Sequence, residues 1–452
     1  QAILAQSSIS ERSPERTRKL REDLEREMAK AMKVAMKKVV AMKKKAAVRA
    51  GSAAAAAKGI TKKKVPVPKG VGRIRIGIIH GKVFDPVKVG THDRNYPEKL
   101  KIKNNTGPNA AGWGGQYMAD VSTGLKIARL QPDIFEIDFM RMSDVSPKRL
   151  AKNDLTFNFW GDMSIAIQEN KHPLAKTIMG VQKDCHNLRH YPEWNYYEWV
   201  LHKSRYMKQC IKAGIPMIPT IFVDNGFNAK AVLKQIQAKG WDKFLVKPAY
   251  LAFFGQGVIH GKTQDFVDNL EPFLQYERDN TKQKEFLVQP YVLKPNGNVF
   301  DEIRNFFVDG EWKYSVYTDG TDYEGFFEQP AGALKEACKQ LAIRTYEEVK
   351  KVSKWEGKPI DTLLNRIDIG VVPDKSLKLG YKIFVNEIEP QMTTWLGRYC
   401  PYEIADLMGN ACISQARKAL KLTLEKGRKI PEKEKVRALL HILDERLGPL
   451  KK

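Results

Sequence analysis

The sequence predicts a mixed protein, α/β at its start and α+β beyond, carried behind a basic N-terminal extension that is expected to be disordered. Residues 73–162 alternate strand, helix and strand, as a small α/β domain does. Residues 302–318 and 366–390 each read as an antiparallel pair around a turn. The net charge of +25 is lopsided: residues 1–70 hold 19 basic and 6 acidic side chains, about half of the excess.

The extension runs through EREMAKAMKVAMKKVVAMKKKAAVRA, mostly good helix formers, into GSAAAAAKGITKKKVPVPKG, where Gly and Pro break any helix. A basic arm of this kind suits an acidic polymer or surface, such as nucleic acid, an acidic membrane face or an acidic protein tail. Order is expected from Arg73. RIRIGIIHG ends in the glycine of a strand-to-loop junction, the segment from Tyr117 to Leu130 reads as helix, and the segments Asp133 to Met140 and Asp154 to Asp162 read as further strands. Gly214 and Pro216 close the helix that contains HKSRYM. FNAKAVLKQIQAKG is an amphipathic helix, another helix is expected over 265–276, and KEFLVQPYV is a strand. Asp309-Gly310 in EIRNFFVDGEWKYSVYT marks a tight hairpin, and helix is expected from VNEIEP onward to the C-terminus.

Composition excludes several classes. A chain of 452 residues that is 42% hydrophobic and 29% charged can bury a large core. It has no apolar run of about 18 residues, so no transmembrane helix is expected. Cys185, Cys210, Cys338, Cys400 and Cys412 are odd in number and widely spaced, without a CxxC pair, which argues against a disulfide scaffold or a zinc site. An intracellular setting, cytoplasmic or organellar, is expected, with N-terminal processing left open.

Candidate chemistry lies in two places. Lys247 ends the apolar run Phe244-Leu245-Val246, where an ammonium can turn toward phosphate oxygens. Gly255 and Gly257 in FFGQGV allow backbone N–H groups to approach a phosphate, although the loop is not a P-loop, because GxxxxGK[ST] is absent. Asp368 in NRIDIG and the pair Glu387 and Glu389 in VNEIEP fall on successive strands, and a spacing of two puts Glu387 and Glu389 on one face. Three carboxylates together call for a cation, and hard oxygen donors suit Mg²⁺.

From HKSRYM to VNEIEP the chain resembles the ATP-grasp superfamily, in the manner of D-alanine:D-alanine ligase, glutathione synthetase and the ribosomal-protein glutamate ligases. The resemblance implies ATP and Mg²⁺ as cofactors. Lys203 and Lys247 match its two phosphate-contacting lysines, and FGQGV, with Gly255 and Gly257, its flexible loop. Gln289, Tyr291 and Val292 match the adenine hinge, Arg304 the arginine that faces the transferred phosphoryl group or the carboxylate substrate, and Asp368, Glu387 and Glu389 the magnesium ligands. The third metal position is usually Asn and is Glu389 here. The loop AYLAFFGQG is bulkier than in D-alanine ligases, and PQMTTWLGRY lacks their acceptor-holding pattern. His80, Asp85 and His260 are candidate substrate contacts.

The domains implied are an extension over 1–70, a preceding α/β domain over 71–195, a small lobe over 196–285, a large lobe over 286–420 and a basic helical tail over 421–452. The implied activity is ATP-dependent joining of a small carboxylate, an amino acid or peptide, to an amine through an acylphosphate. Two alternatives stand beside it. One is a protein glutamate or tyrosine ligase-like modifier; the other is a non-catalytic protein of this fold that binds nucleic acid or acidic partners through the extension.

Overall fold

A computed structural model describes residues 65–80, 119–141, 145–158, 189–250, 257–318, 326–327, 332–389, 404–427, 430–448 and 450. The basic arm expected over 1–70 lies almost wholly outside the described residues. Packing divides the chain between Val65 and Pro66, and the segment from Pro66 to Lys452 forms one compact unit.

That unit begins with a four-stranded sheet in the order β2-β1-β3-β4. Its strands are β1 (Ile74–His80), β2 (Phe135–Arg141), β3 (Leu155–Asn158) and β4 (His190–Tyr191), and every pairing is parallel. Ile74, Ile76 and Ile78 are fully buried, as expected of a central strand covered on its faces. Helix α1 (Ala119–Leu130) packs against β1 and β2 at Gly124, where a Cβ would come within 2.6 Å of both Ile78 and Phe139. A single helical turn, α2 (Pro147–Leu150), follows β2.

The second sheet has the order β5-β8-β6-β7 and is antiparallel throughout. It contains β5 (Ile221–Val223), β6 (Lys243–Pro248), β7 (Ile259–Lys262) and β8 (Phe286–Pro290). Helices α5 (Ala229–Ala238), α6 (Thr263–Asp268) and α7 (Glu271–Asp279) cover one face of it. Asn228 caps α5 by accepting from the Ala231 N–H at 2.8 Å. The helix expected over 265–276 is two helices, because Pro272 in the first turn of α7 has no N–H with which to continue α6. Along β6, Phe244 and Val246 enter the core with Phe273 and Phe286, which turns Lys243, Leu245 and Lys247 to the other face. Since β8 belongs to this sheet, the sheet boundary lies after Pro290 and not before Phe286.

The third sheet has the order β11-β10-β9-β14-β15. It contains β9 (Asp301–Val308), β10 (Glu311–Thr318), β11 (Phe326–Phe327), β14 (Leu364–Pro373) and β15 (Tyr381–Glu389), all antiparallel. The expected hairpin forms: Asp309 and Gly310 have φ of 49° and 80°, the doubly left-handed turn that suits the twist of paired strands. A short ribbon of β12 (Lys354–Trp355) and β13 (Lys358–Pro359) precedes β14.

Helix α8 (Gly332–Val352) buries Cys338, Leu341, Ala342, Tyr346 and Val349 at helical spacing against one face of this sheet, with Phe307 and Tyr346 stacked at 4.5 Å. Helices α3 (Trp194–Leu201) and α4 (Lys203–Lys212) join the same core.

Two helices close the chain, α9 (Ile404–Glu425) and α10 (Lys433–Leu447). The boundary expected at 420/421 falls inside α9. That helix packs on α1. Helix α10 buries Val436, Leu439, Leu440 and Leu443, and Arg446 forms a fork on Asp133 at 2.9 and 2.6 Å, which ties it to the turn before β2.

Candidate active site

The face of the third sheet turned away from α8 carries charge. Register places Arg304, Asp368 and Glu387 side by side across β9, β14 and β15, with Arg366 opposite Glu389 in the adjoining row. Glu302 lies two residues before Arg304 on the same strand and therefore on the same face. Asn386 is an extra residue in β15: Asp368 pairs with Glu387 and Ile369 with Val385. This bulge lets Val385 enter the apolar core while Glu387, only two residues later, faces the charged row.

The charges neutralise one another in pairs. Lys203, the first residue of α4, reaches across to Glu387, the most open of the four carboxylates with its side chain 25% exposed. Arg366 grips Asp368 with two hydrogen bonds, Nε to Oδ1 at 2.8 Å and Nη2 to Oδ2 at 2.7 Å, and Asp368 is only 1% exposed. Arg304 donates to Glu302 Oε2 at 3.0 Å, and the Asn386 amide donates to Glu302 Oε1 at 2.6 Å.

Lys247 enters from the second sheet. Burial pushes its ammonium down to about 7, the charge of Lys203 adds to the shift, and Glu302 opposes it. Burial also lowers Lys203, against the pull of Glu389 and Asp368. Glu389 is raised by burial, with Arg366 and Lys203 opposing and Asp368 adding. Lys203 links these groups: it pairs with Glu387, and its charge acts on both Lys247 and Glu389.

Glu387 and Glu389 offer hard carboxylate oxygens two residues apart on one face, the donor chemistry that magnesium takes. Both oxygens of Asp368 are taken by Arg366, and among the described residues no group of three His, Cys, Asp or Glu side chains is gathered as a metal site.

Comparison with known proteins agrees with this topology. The chain resembles the crystal structure of the D-cycloserine synthetase DcsG at a TM-score of 0.52, with 15% identity over 76% of this chain and 99% of that one. The chain has an ATP-grasp fold. Other similar structures are a D-alanine–D-alanine ligase from Bacillus anthracis complexed with ATP (14% identity, 77% and 98% covered, TM-score 0.46) and an N5-carboxyaminoimidazole synthetase from Staphylococcus aureus complexed with ADP (12%, 75% and 76%, 0.46). The fold assignment rests on the first of the three, the one above 0.5, and on the sheet topology. No protein-family model and no curated protein matches the sequence.

Within the ATP-grasp frame, Gln289 on β8 is buried and its amide donates to Thr220 at 3.0 Å. The Tyr291 N–H donates to the Lys243 carbonyl at 2.9 Å, so a hinge hydrogen bond at Tyr291 has only its carbonyl to use. Val292 is partly buried against the core of the third sheet. His260 stacks on Tyr291 at 5.7 Å. Gly257 has φ of 68°, and its carbonyl accepts from the Tyr276 hydroxyl at 2.7 Å. Gly255 and Asp85 lie outside the described residues, as does the His80 side chain.

The sequence reading missed Arg366 and Glu302. Both stand two residues from an opposite charge on an expected strand, Arg366 before Asp368 and Glu302 before Arg304, and that spacing was the available signal.

Proposed function

We propose that this protein spends ATP to activate a small carboxylate, an amino acid or peptide, and joins it to an amine. The observation that carries the proposal is the row Arg304, Asp368 and Glu387 with Lys203 paired to Glu387, and with Lys247 of the second sheet near enough to feel the charges of Lys203 and Glu302. Two lysines drawn from separate elements suit a polyphosphate, since a point charge without directional demand neutralises several oxygens.

In this reading Lys203 and Lys247 hold the phosphates, and the Tyr291–Val292 hinge receives the adenine. Glu387 and Glu389 would hold Mg²⁺, with Asp368 as the third candidate donor. The ion supplies charge neutralisation on the phosphate oxygens. The γ-phosphoryl group leaves ADP and bonds to a carboxylate oxygen of the substrate. An amine then attacks the acyl carbon, phosphate departs with that oxygen, and the amine loses a proton. Arg304 and Arg366 steady the anionic acylphosphate, and positioning with charge neutralisation is sufficient without a covalent protein nucleophile.

ADP release, screened over amino acids and dipeptides, tests the proposal. Glu387→Gln removes a charge where the transferred group is neutralised, a loss of about 3 kcal/mol or roughly 100-fold in rate. Unchanged ADP release by a folded Glu387→Gln protein at saturating magnesium contradicts the assignment.

A further inference from the structure

Lys203 and Lys247 stand on different elements, and like charges brought together repel, so their proximity needs a support. The backbone supplies part of it. His202 leaves the helical region between α3 and α4, with φ of −90° and ψ of 87°, and forms an antiparallel bridge with Tyr250. The Lys203 N–H donates to the Ala249 carbonyl at 2.7 Å, and the Ala249 N–H donates to the Glu285 carbonyl at 3.0 Å.

Side chains reinforce the same junction. The His202 and Tyr250 rings lie 4.3 Å apart, and the Ser204 hydroxyl donates to the Glu285 carboxylate. His202 and Ser204 flank Lys203, while Ala249 and Tyr250 follow Lys247 by two and three residues. Among the described residues His202 Nδ1 is buried without a hydrogen-bond partner, so the ring contributes by packing and not by a bond from that nitrogen.

We propose that His202 and Tyr250 form an aromatic clasp that sets the spacing of Lys203 and Lys247 for a nucleoside triphosphate. Both are positioning residues, and the inference rests on the nucleotide reading of the site. The clasp fixes the start of α4 to the end of β6, so the two ammonium groups are presented as a pair before any ligand arrives. Loss of the ring contact leaves the junction to its backbone bonds and the Ser204–Glu285 bond, with no side-chain packing between the two segments that carry the lysines, which permits the pair to drift. Adenosine, lacking phosphates, is indifferent to that drift.

Calorimetric affinities for ATP and for adenosine, with thermal melting as the folding control, test the clasp in the full chain. His202→Ala and Tyr250→Leu are expected to weaken ATP by about 10-fold to 100-fold, the scale of a small misplacement of binding groups, and to leave adenosine unchanged. His202→Phe and Tyr250→Phe keep a ring and are expected to stay within about twofold of the parent. Tyr250→Leu answers the question if His202→Ala does not fold. Equal losses for ATP and adenosine, or no loss in either variant while Lys247→Met loses ATP, overturn the clasp and leave the nucleotide site standing. Failure of the parent protein to bind ATP overturns the nucleotide reading and the clasp with it.

Discussion

Arg366 and Asp368 are nearly sealed from solvent, and each is the other's bidentate partner. Removing one member of such a pair strands the other charge, at about 3–5 kcal/mol. Arg366→Met is therefore expected to melt at lower temperature. Magnesium should restore more of that loss in the variant than it adds to the parent, because the Asp368 oxygens are then open; an equal response in the two proteins contradicts Asp368 as a latent metal ligand.

Lys247 gives a pH signature. Its folded value is pushed from 10.5 down to about 7, so between those values the unfolded chain binds more protons than the folded one. Stability of the ligand-free protein therefore gains a contribution as pH rises through that window, and the charged lysine is a burden below it. The melting difference between the parent and Lys247→Met should shift accordingly from pH 7 to pH 10, and a flat difference contradicts the depressed value. Lys247 and the carboxylates could be read in the sequence because each sits at the end or on one face of an apolar strand, whereas Lys203, at the start of α4, was marked only by the family resemblance. Their pairing could not, since the partner of Lys203 is 184 residues away in the chain.

At the scale of elements, the β9–β10 hairpin was legible because Asp-Gly accepts left-handed φ at both turn positions. The structure adds a tertiary role: Asp309 accepts from Lys418 at 3.2 Å, and a Cβ on Gly310 would come within 2.5 Å of Asp361. Gly310→Ala is expected to cost on the order of 1–3 kcal/mol through backbone strain. A melting temperature equal to the parent's contradicts that account of the turn. The bulge at Asn386 was not legible. Strict alternation puts Val385, Glu387 and Glu389 on one face, and only the register with β14 shows that Val385 turns to the core. The two-helix form of 263–279 had a signal in Pro272, which reads as a helix start as readily as an interior residue.

Over the whole molecule the order of strands and helices sufficed for the fold class, because the strands of each sheet come from one contiguous stretch of the chain. The docking of α10 beside the first sheet was illegible, since Arg446 and Asp133 stand 313 residues apart and nothing local pairs them. Every candidate site residue follows residue 64. Deleting residues 1–64 should leave ATP affinity unchanged, and should weaken binding to an acidic polymer in a salt-dependent manner, as attraction screened over about 8 Å at physiological ionic strength requires. A salt-independent fall in ATP affinity contradicts a role for the arm confined to polymer binding.

An acylphosphate intermediate passes a carboxylate oxygen to the released phosphate, and isotope labelling reads that transfer directly. The protein is incubated with ATP, magnesium and a pool of amino acids and dipeptides labelled with ¹⁸O in their carboxylates, and the released phosphate is weighed by mass spectrometry. Phosphate carrying one ¹⁸O per ADP formed is the result expected of carboxylate activation. ADP released with unlabelled phosphate contradicts it.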